Sequence, residues 1–134
     1  MSVDPIYGPF LAQVFLALTV VLILGFRRVR DMRKMGFAHI RTQGWSARTV
    51  NTNDNLRNQF EIPTLFYVLC IFFAVAGETT ALVLYLAWTF VVLRYFHAAV
   101  QLTANVIFPW RFGSFVLSTL LVVAMTVVAI TQAV

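Results

Sequence analysis

Four long segments rich in apolar residues constrain this chain more than any other feature of its sequence. A helix of about 20 apolar residues is long enough to cross the ~30 Å hydrocarbon core of a membrane. Only 11% of the 134 residues are charged, whereas soluble domains carry roughly 25%. The sequence therefore predicts an all-α integral membrane protein, a single domain of four transmembrane helices over residues 1–134. The predicted spans are residues 7–26, 54–76, 81–105 and 114–133.

The basic residues are concentrated beside the first span. Eight of the ten Lys and Arg residues lie between Arg27 and Arg57, mostly in the predicted loop of residues 27–53. A short helical or surface-lying piece within residues 35–53 is the alternative to a continuous loop there. Because basic loops are retained in the cytoplasm, we expect both termini outside and this loop inside. Contacts with anionic lipids or with a ligand are an alternative role for the same charges. Topology accounts for the positive charge, so we do not expect a nucleic-acid partner.

Polar side chains share one face where the second span begins. Residues spaced i, i+3, i+4 and i+7 lie on the same side of a helix, and here they are Asp54, Arg57, Asn58 and Glu61. Asp54 and the asparagine before it are suitable residues to begin that helix, and Pro63 inside the helix predicts a kink. A second polar set, with spacings of 3, 4 and 4, follows in the third span: Arg94, His97, Gln101 and Asn105.

Arg94 is the deepest charge in the predicted bundle. A charged side chain at the centre of a membrane helix costs ~2.5 kcal/mol or more, so Arg94 should face the interior and have a partner. One possibility is a structural clamp, either to Glu61 or to a backbone carbonyl. The other is a ligand site that uses the same charges. His97, one turn further along the same face, is either a hydrogen-bonded core residue or a member of that site.

The two polar faces favour a particular kind of ligand. Arginine pairs bidentately with carboxylates, and Glu61 is suited to an amine, so the site would bind a small zwitterion with more than one carboxylate. A nearby arginine also favours the thiolate form of a bound thiol. No second His or Cys follows His97 at i+3 or i+4, so no metal site is expected. Cys70, the single cysteine, is expected to be a buried structural thiol.

Three short segments resemble the MAPEG family, the membrane-associated proteins in eicosanoid and glutathione metabolism. RNQFE at residues 57–61, followed by Pro63, resembles the Arg-Asn-x-x-Glu segment that opens the second helix of that family. RYFH at residues 94–97 resembles an Arg-x-x-His of the third helix, and PWR at residues 109–111 resembles the stretch that opens the fourth helix with a catalytic arginine. The order of the three segments and the four-span layout agree with one another.

The resemblance implies a homotrimer of four-helix protomers that binds glutathione as a co-substrate between subunits, near the cytoplasmic face. By this resemblance Arg111 is the catalytic residue, which stabilises the glutathione thiolate. The candidate glutathione-binding residues are Arg57, Asn58, Glu61, Arg94 and His97. The other expected partners are membrane lipids and a lipophilic small-molecule substrate.

The sequence departs from the family pattern at three positions. Phe115 stands four residues after Arg111, where a tyrosine is frequent. Gln101 stands where a tyrosine is common in the third helix, and Phe112 stands where a serine is found. Three hydroxyl groups that would serve glutathione are therefore replaced.

Three functional hypotheses follow from the sequence. The leading one is a membrane-embedded glutathione-dependent transferase or peroxidase that acts on lipophilic electrophiles, in a bacterial inner membrane rather than an organelle membrane. The alternative is a non-catalytic lipid-binding or scaffold protein of the same fold, with Arg94 and Glu61 in structural roles. A small multidrug-type transporter is less favoured, because such proteins rely on a carboxylate within the membrane, whereas Arg94 is the deep charge here.

Overall fold

A computed structural model describes residues 3–133 of the chain, which are helical apart from short turns and contain no strand. The α-helices are α1 (Tyr7–Met35), α2 (Phe37–Gln43), α3 (Ala47–Phe60), α4 (Ile62–Ala76), α5 (Ala81–Thr103) and α6 (Phe112–Ala133), with a π-helical turn at Ile107–Arg111. Four helical stretches are long and apolar enough to cross a membrane: Tyr7–Met35, Ala47–Ala76, Ala81–Thr103 and Ile107–Ala133. The predicted all-α, four-helix membrane bundle is confirmed.

The outer surface of the bundle is apolar. Leu22 is 74% exposed, Val75 83% and Val127 54%, and each lies in one of the four membrane-spanning stretches. Large apolar patches of this kind are unusual on proteins that face water. The helices are therefore built to face hydrocarbon, in agreement with the composition.

The segment of residues 27–53, predicted as a loop, is mostly helical. α1 continues to Met35, so its 29 residues extend about 43 Å, well beyond the ~30 Å hydrocarbon core. α2 and the first half of α3 occupy most of the remainder. Gly36 and Gly44 interrupt the helices with φ of +80° and +86°, values that glycine adopts at little cost. Polarity alone suggested a loop, but polar residues other than Gly and Pro are compatible with a helix.

α3 begins earlier than predicted, at Ala47 rather than near Asp54. Ser46 is its N-cap, and the Ser46 hydroxyl accepts a hydrogen bond from the Thr49 amide at 3.4 Å. Serine is among the preferred N-cap residues because its oxygen satisfies an amide that lacks a helical partner. Asp54 lies in the middle of the helix and has no capping role.

The helix is interrupted between α3 and α4 at Glu61, whose φ of −87° and ψ of −96° are not helical. Pro63 lies in the first turn of α4. Because proline has no N–H, the Gln59 carbonyl finds no helical donor four residues further on. Pro63 predicted a kink in a continuous helix. The structure instead has a complete interruption at Glu61, two residues before the proline.

The other helix ends lie close to the predicted spans. α5 ends at Thr103 and α6 begins at Phe112, each within two residues of the predicted boundary. Between α4 and α5 the tight turn contains Gly77 in the left-handed conformation, and the Thr80 hydroxyl caps α5.

Apolar side chains pack the part of the bundle that is remote from the basic residues. The main cluster joins α4, α5 and α6, where the rings of Phe66 and Phe90 stack with centroids 4.3 Å apart. Burial of side chains of this size contributes roughly 1.5–3 kcal/mol each. Cys70 lies in the same cluster and is 1% exposed, so the expectation of a buried thiol is confirmed.

Polar contacts hold the helices together from the middle of the bundle to its other end. We call this end the basic end, because it contains α2 and the Arg- and Lys-rich C-terminal part of α1. Gln13 of α1 donates to Gln59 of α3 at 3.0 Å, and Gln59 donates to Asn55 at 2.9 Å. Asn55 in turn donates to the Ala98 carbonyl of α5 at 3.1 Å. This chain of amides ties α1, α3 and α5 together.

Asp31 fastens the start of α3 to α1 at the basic end. It lies beyond the apolar run of residues 7–26 and is 2% exposed. Its carboxylate accepts hydrogen bonds from the Ser46 hydroxyl at 2.6 Å, the Thr49 hydroxyl at 2.7 Å and the Ser46 amide at 3.1 Å. The Ser46 and Thr49 hydroxyl groups hold the pKa of Asp31 below its ordinary value because they favour the charged form.

Replacement of Asp31 by alanine should lower the stability of the purified protein in detergent. Ser46 and Thr49 lose a charged hydrogen-bond acceptor, so we expect the free energy of unfolding to fall by about 2 kcal/mol at neutral pH. Since the pKa of Asp31 is lower in the folded state, its contribution is fully present above the ordinary aspartate pKa of about 3.9 and is lost as the pH falls through the folded-state pKa. Thermal melts followed by circular dichroism at pH 7 and pH 3 measure both effects.

Glu78→Ala is the matched control, because Glu78 is an exposed acid at the opposite end of the bundle. Two results would contradict the assigned role of Asp31. One is an Asp31→Ala variant with the same melting temperature as wild type at pH 7, and the other is a difference in melting temperature between the two proteins that is larger at pH 3 than at pH 7.

Candidate functional site

Four of the candidate site residues meet where α3 breaks. Arg57 and Asn58 lie in the last turn of α3, Glu61 lies at the break, and Arg111 ends the π-helical turn before α6. Together with Asp54 they line a cavity of about 270 Å³, which we call the charged cavity. The polar face expected from the i, i+3, i+4, i+7 spacing forms one wall, and Arg111 reaches the same cavity from a distant part of the sequence.

The charges around this cavity are not paired with one another. Within residues 3–133 the one ion pair closer than 4 Å joins Arg30 and Asp31, at 3.8 Å. Arg57 and Glu61 are both exposed. The charged cavity therefore offers separate guanidinium and carboxylate groups, which are suited to the carboxylate and amine of a zwitterionic ligand.

Arg94 lies beneath this cavity and does not line it. The side chain is fully buried, and its Nη2 donates to the Asn58 carbonyl at 2.6 Å. Asn58 is within the last four residues of α3, whose carbonyls lack partners inside the helix. Of the two partners considered from the sequence, the backbone is the one found, and Glu61 is not an ion-pair partner. The cation also interacts favourably with the C-terminal end of the α3 dipole.

Arg94 keeps further hydrogen-bonding capacity. Its Nε and Nη1 atoms are buried and have no acceptor within residues 3–133. Buried polar groups of this kind normally have a partner. Arg94 is therefore a support for the carbonyl of Asn58, with donors left over, rather than a wall of the charged cavity.

His97 holds the turn that precedes α6. Its Nδ1 lies 3.0 Å from the Arg111 carbonyl and 3.1 Å from the Ser114 hydroxyl. Because a carbonyl can only accept, we assign the proton of the neutral ring to Nδ1. The Nε2 atom is then an acceptor, and it is buried with no partner within residues 3–133. Ser114, which sequence reasoning did not single out, takes part in positioning the site.

A second cavity of about 350 Å³ adjoins the first. Asn58 and Arg111 line both of them. The other residues around the second cavity are mainly apolar or aromatic: His97, Ile107, Phe112 and Phe115. We call it the aromatic cavity. Charged and apolar compartments thus share a wall formed by an amide and a guanidinium.

Arg111 is oriented by the turn between α5 and α6. Its Nη1 donates to the Asn105 side-chain oxygen at 3.0 Å. Asn105 has a φ of +48°, in the left-handed region that asparagine tolerates better than most residues. The backbone of this turn therefore favours asparagine, whose amide in turn fixes the direction of the Arg111 guanidinium.

Gln101 holds Asn58 in place across the interface of α3 and α5. The Asn58 amide donates to the Gln101 side-chain oxygen at 3.2 Å. The Gln101 backbone carbonyl accepts from the side-chain amide of Asn51, which lies about two turns nearer the start of α3 than Asn58. Gln101, which departs from the family pattern, thus joins α5 to α3 through both its side chain and its backbone carbonyl.

Sequence reasoning also missed the amides of Gln13, Asn55 and Gln59. Gln13 is fully buried in the middle of an apolar run, and a lone amide in such a run is the signal that could have identified it. Asn55 and Gln59 lie on a neighbouring face of α3, outside the i, i+3, i+4, i+7 set that contains the charged residues. For metals, residues 3–133 bring together no group of three His, Cys, Asp or Glu side chains.

Nearly the whole chain matches one known protein family. A family model, the MAPEG family, matches residues 6–131, which is nearly the whole chain and includes every candidate site residue. No curated protein and no solved structure matches it significantly. The four-helix membrane bundle and this match agree, and the chain belongs to the MAPEG family.

Proposed function

We propose that the protein is a membrane-embedded glutathione-dependent transferase or peroxidase that acts on lipophilic electrophiles. The observation that carries this proposal is the pair of adjoining cavities, one charged and one aromatic, which share Asn58 and Arg111. A reaction between a water-soluble zwitterion and an apolar molecule needs two such compartments side by side. Membership of a family of glutathione and eicosanoid metabolism supports the same conclusion.

The residues around the charged cavity fit glutathione. This tripeptide has two carboxylates and an ammonium group, and when bound it supplies a nucleophilic thiol. Arg57 is suited to a carboxylate, Glu61 to the ammonium group, and the Asn58 side chain to a peptide group. His97, from the aromatic cavity, offers a buried acceptor at Nε2, and Arg94 supports Asn58 from below.

Arg111 is the proposed catalytic residue. Arg111 lines both cavities, so it lies where a thiolate sulfur would meet an apolar electrophile. A fixed positive charge lowers the free energy of a thiolate relative to a thiol. Since Asn105 already orients the guanidinium, little reorganisation is needed when negative charge develops.

We also propose a homotrimer in a bacterial inner membrane, with both termini outside and the charged cavity toward the cytoplasm. The charged cavity is open beside Arg57 and Glu61, which are exposed, and a neighbouring subunit would close that side. The concentration of basic residues between Arg27 and Arg57 supports this orientation. Reduced glutathione is then available on the side where the charged cavity opens.

A non-catalytic lipid-binding or scaffold protein of the same fold is the second candidate. It is favoured by Phe112 and Phe115, which line the aromatic cavity without the hydroxyl groups that the resemblance leads one to expect. The backbone contact of Arg94 also agrees with it, because the Asn58 carbonyl gives the buried charge a structural partner within the protein. The two candidates differ in whether glutathione binds and turns over.

Glutathione should bind to the purified protein in detergent at millimolar affinity or tighter. Arg57→Ala removes a charge-assisted hydrogen bond to a carboxylate, so we expect binding to weaken about tenfold or more. Isothermal titration calorimetry measures both affinities. Arg33→Ala is the control, because Arg33 is an exposed arginine that lines neither cavity. Absence of binding by wild type at cellular glutathione concentrations would favour the scaffold candidate.

Arg111→Ala should lower the rate of glutathione conjugation to an activated aryl halide by about 100-fold. The loss should fall on kcat, because Arg111 is proposed to act on the thiolate rather than on the anchoring groups of the tripeptide. Steady-state kinetics with variants of matched helicity measures the effect. Unchanged turnover in Arg111→Ala would remove this residue from the catalytic role.

Asn105→Gly should lower kcat about fivefold, the loss expected for one hydrogen bond that orients Arg111. Glycine keeps the positive φ available, so the backbone of the turn is not strained. Ala104→Gly, in the same turn, controls for flexibility and should leave kcat close to wild type. Equal losses in the two variants would show that flexibility of the turn, and not the Asn105 side chain, is responsible.

A further inference from the structure

A third cavity lies at the basic end, between α1, α3 and the end of α5. Its volume is about 420 Å³, and none of its lining residues borders the charged or the aromatic cavity. The residues around it are Arg27, Ala47, Arg48, Asn51, Leu102, Thr103 and Asn105. We call it the basic cavity. It contains two arginines and no carboxylate.

Arg27 is held rigidly in the wall of this cavity. Its Nη1 donates to the Arg48 carbonyl at 3.2 Å and to the Thr52 hydroxyl at 2.5 Å, and its Nη2 donates to the Leu102 carbonyl at 3.3 Å. The side chain thus joins α1, α3 and α5. Guanidinium has five N–H groups, so at least two remain for another acceptor. A positive charge fixed in this way loses little conformational entropy when it binds an anion.

Arg48 adds a second guanidinium that has no partner of its own. Its side chain is exposed and makes no hydrogen bond or ion pair with any other residue in the described part of the chain. Two like charges in the wall of one cavity repel each other. An anion between them removes this repulsion, and arginine pairs bidentately with phosphate oxygens.

The depth of the basic cavity indicates where the anion comes from. Arg27 is the first residue after the apolar run of residues 7–26, and Leu102 and Thr103 are the last residues of α5. The cavity is therefore at the level where hydrocarbon gives way to lipid headgroups. Nearby, the Arg28 guanidinium lies 5.6 Å from the centre of the Trp45 ring, and tryptophan is enriched at this membrane boundary.

We propose that the basic cavity binds the phosphate group of an anionic phospholipid, with Arg27 and Arg48 as the phosphate donors. Leu102 and Ala47 provide an apolar part of the wall for the start of the acyl chains. Because no carboxylate lines the cavity, it has no negative charge to pair with the cationic group of a zwitterionic headgroup, and a net negative lipid is preferred. The lipid then bridges the same three helices that Arg27 joins.

The test measures lipid binding to the delipidated protein by native mass spectrometry. Phosphatidylglycerol and phosphatidylcholine with identical acyl chains are compared on wild type, Arg48→Gln and Arg41→Gln. We expect wild type to bind phosphatidylglycerol more tightly, and Arg48→Gln to weaken that binding about fivefold. Arg41→Gln is the matched control, because Arg41 is an exposed arginine of α2 that does not line the cavity.

Three results would overturn the proposal. Equal binding of the two lipids by wild type would remove the selectivity for a net negative headgroup. An equal loss in Arg41→Gln and Arg48→Gln would show diffuse attraction of the basic end to anionic lipid. Displacement of phosphatidylglycerol by millimolar inorganic phosphate would assign the cavity to a soluble phosphate instead. Arg48 is exposed, so its substitution is not expected to impair folding, and circular dichroism checks this.

Discussion

A guanidinium buried in a transmembrane helix organises this protein. Arg94 has no exposed surface, and a charge in that position costs at least ~2.5 kcal/mol unless it has partners. The broken helix α3–α4 provides one, because the carbonyl of Asn58 lacks a donor within its own helix and accepts from Arg94 at 2.6 Å. Each feature stabilises the other: the break supplies an acceptor for the charge, and the charge satisfies the end of the broken helix.

The break also determines where chemistry is available. Since α3 stops at Phe60 and α4 starts at Ile62, Glu61 and the last turn of α3 open onto a cavity instead of packing along a continuous helix. The turn before α6 reaches the same place, held by His97 and Asn105. Asn58 and Arg111 therefore stand between a charged and an aromatic compartment, and the proposed reaction of glutathione with an apolar substrate rests on this arrangement.

The two ends of the bundle are stabilised by different kinds of interaction. Around Phe66 and Phe90 the core is apolar, and the helices there are held by packing. Toward the basic end the contacts are amides, hydroxyls and the Asp31 carboxylate, which leave cavities lined by polar groups. Asn105 borders the basic cavity and also accepts a hydrogen bond from Arg111. The proposed lipid site and the proposed catalytic arginine therefore share a neighbour.

The sequence by itself determined the membrane class, the four spans, a kink near Pro63 and the family, because apolar length, proline chemistry and short local motifs are readable along the chain. The extent of the helices in residues 27–53 was underestimated, since polarity does not separate an exposed helix from a loop. The partner of Arg94, the roles of Gln101 and Ser114, and the buried amide of Gln13 were decided by the tertiary structure. Each depends on contacts between helices far apart in sequence, and periodicity within one helix carries no information about which neighbour it meets.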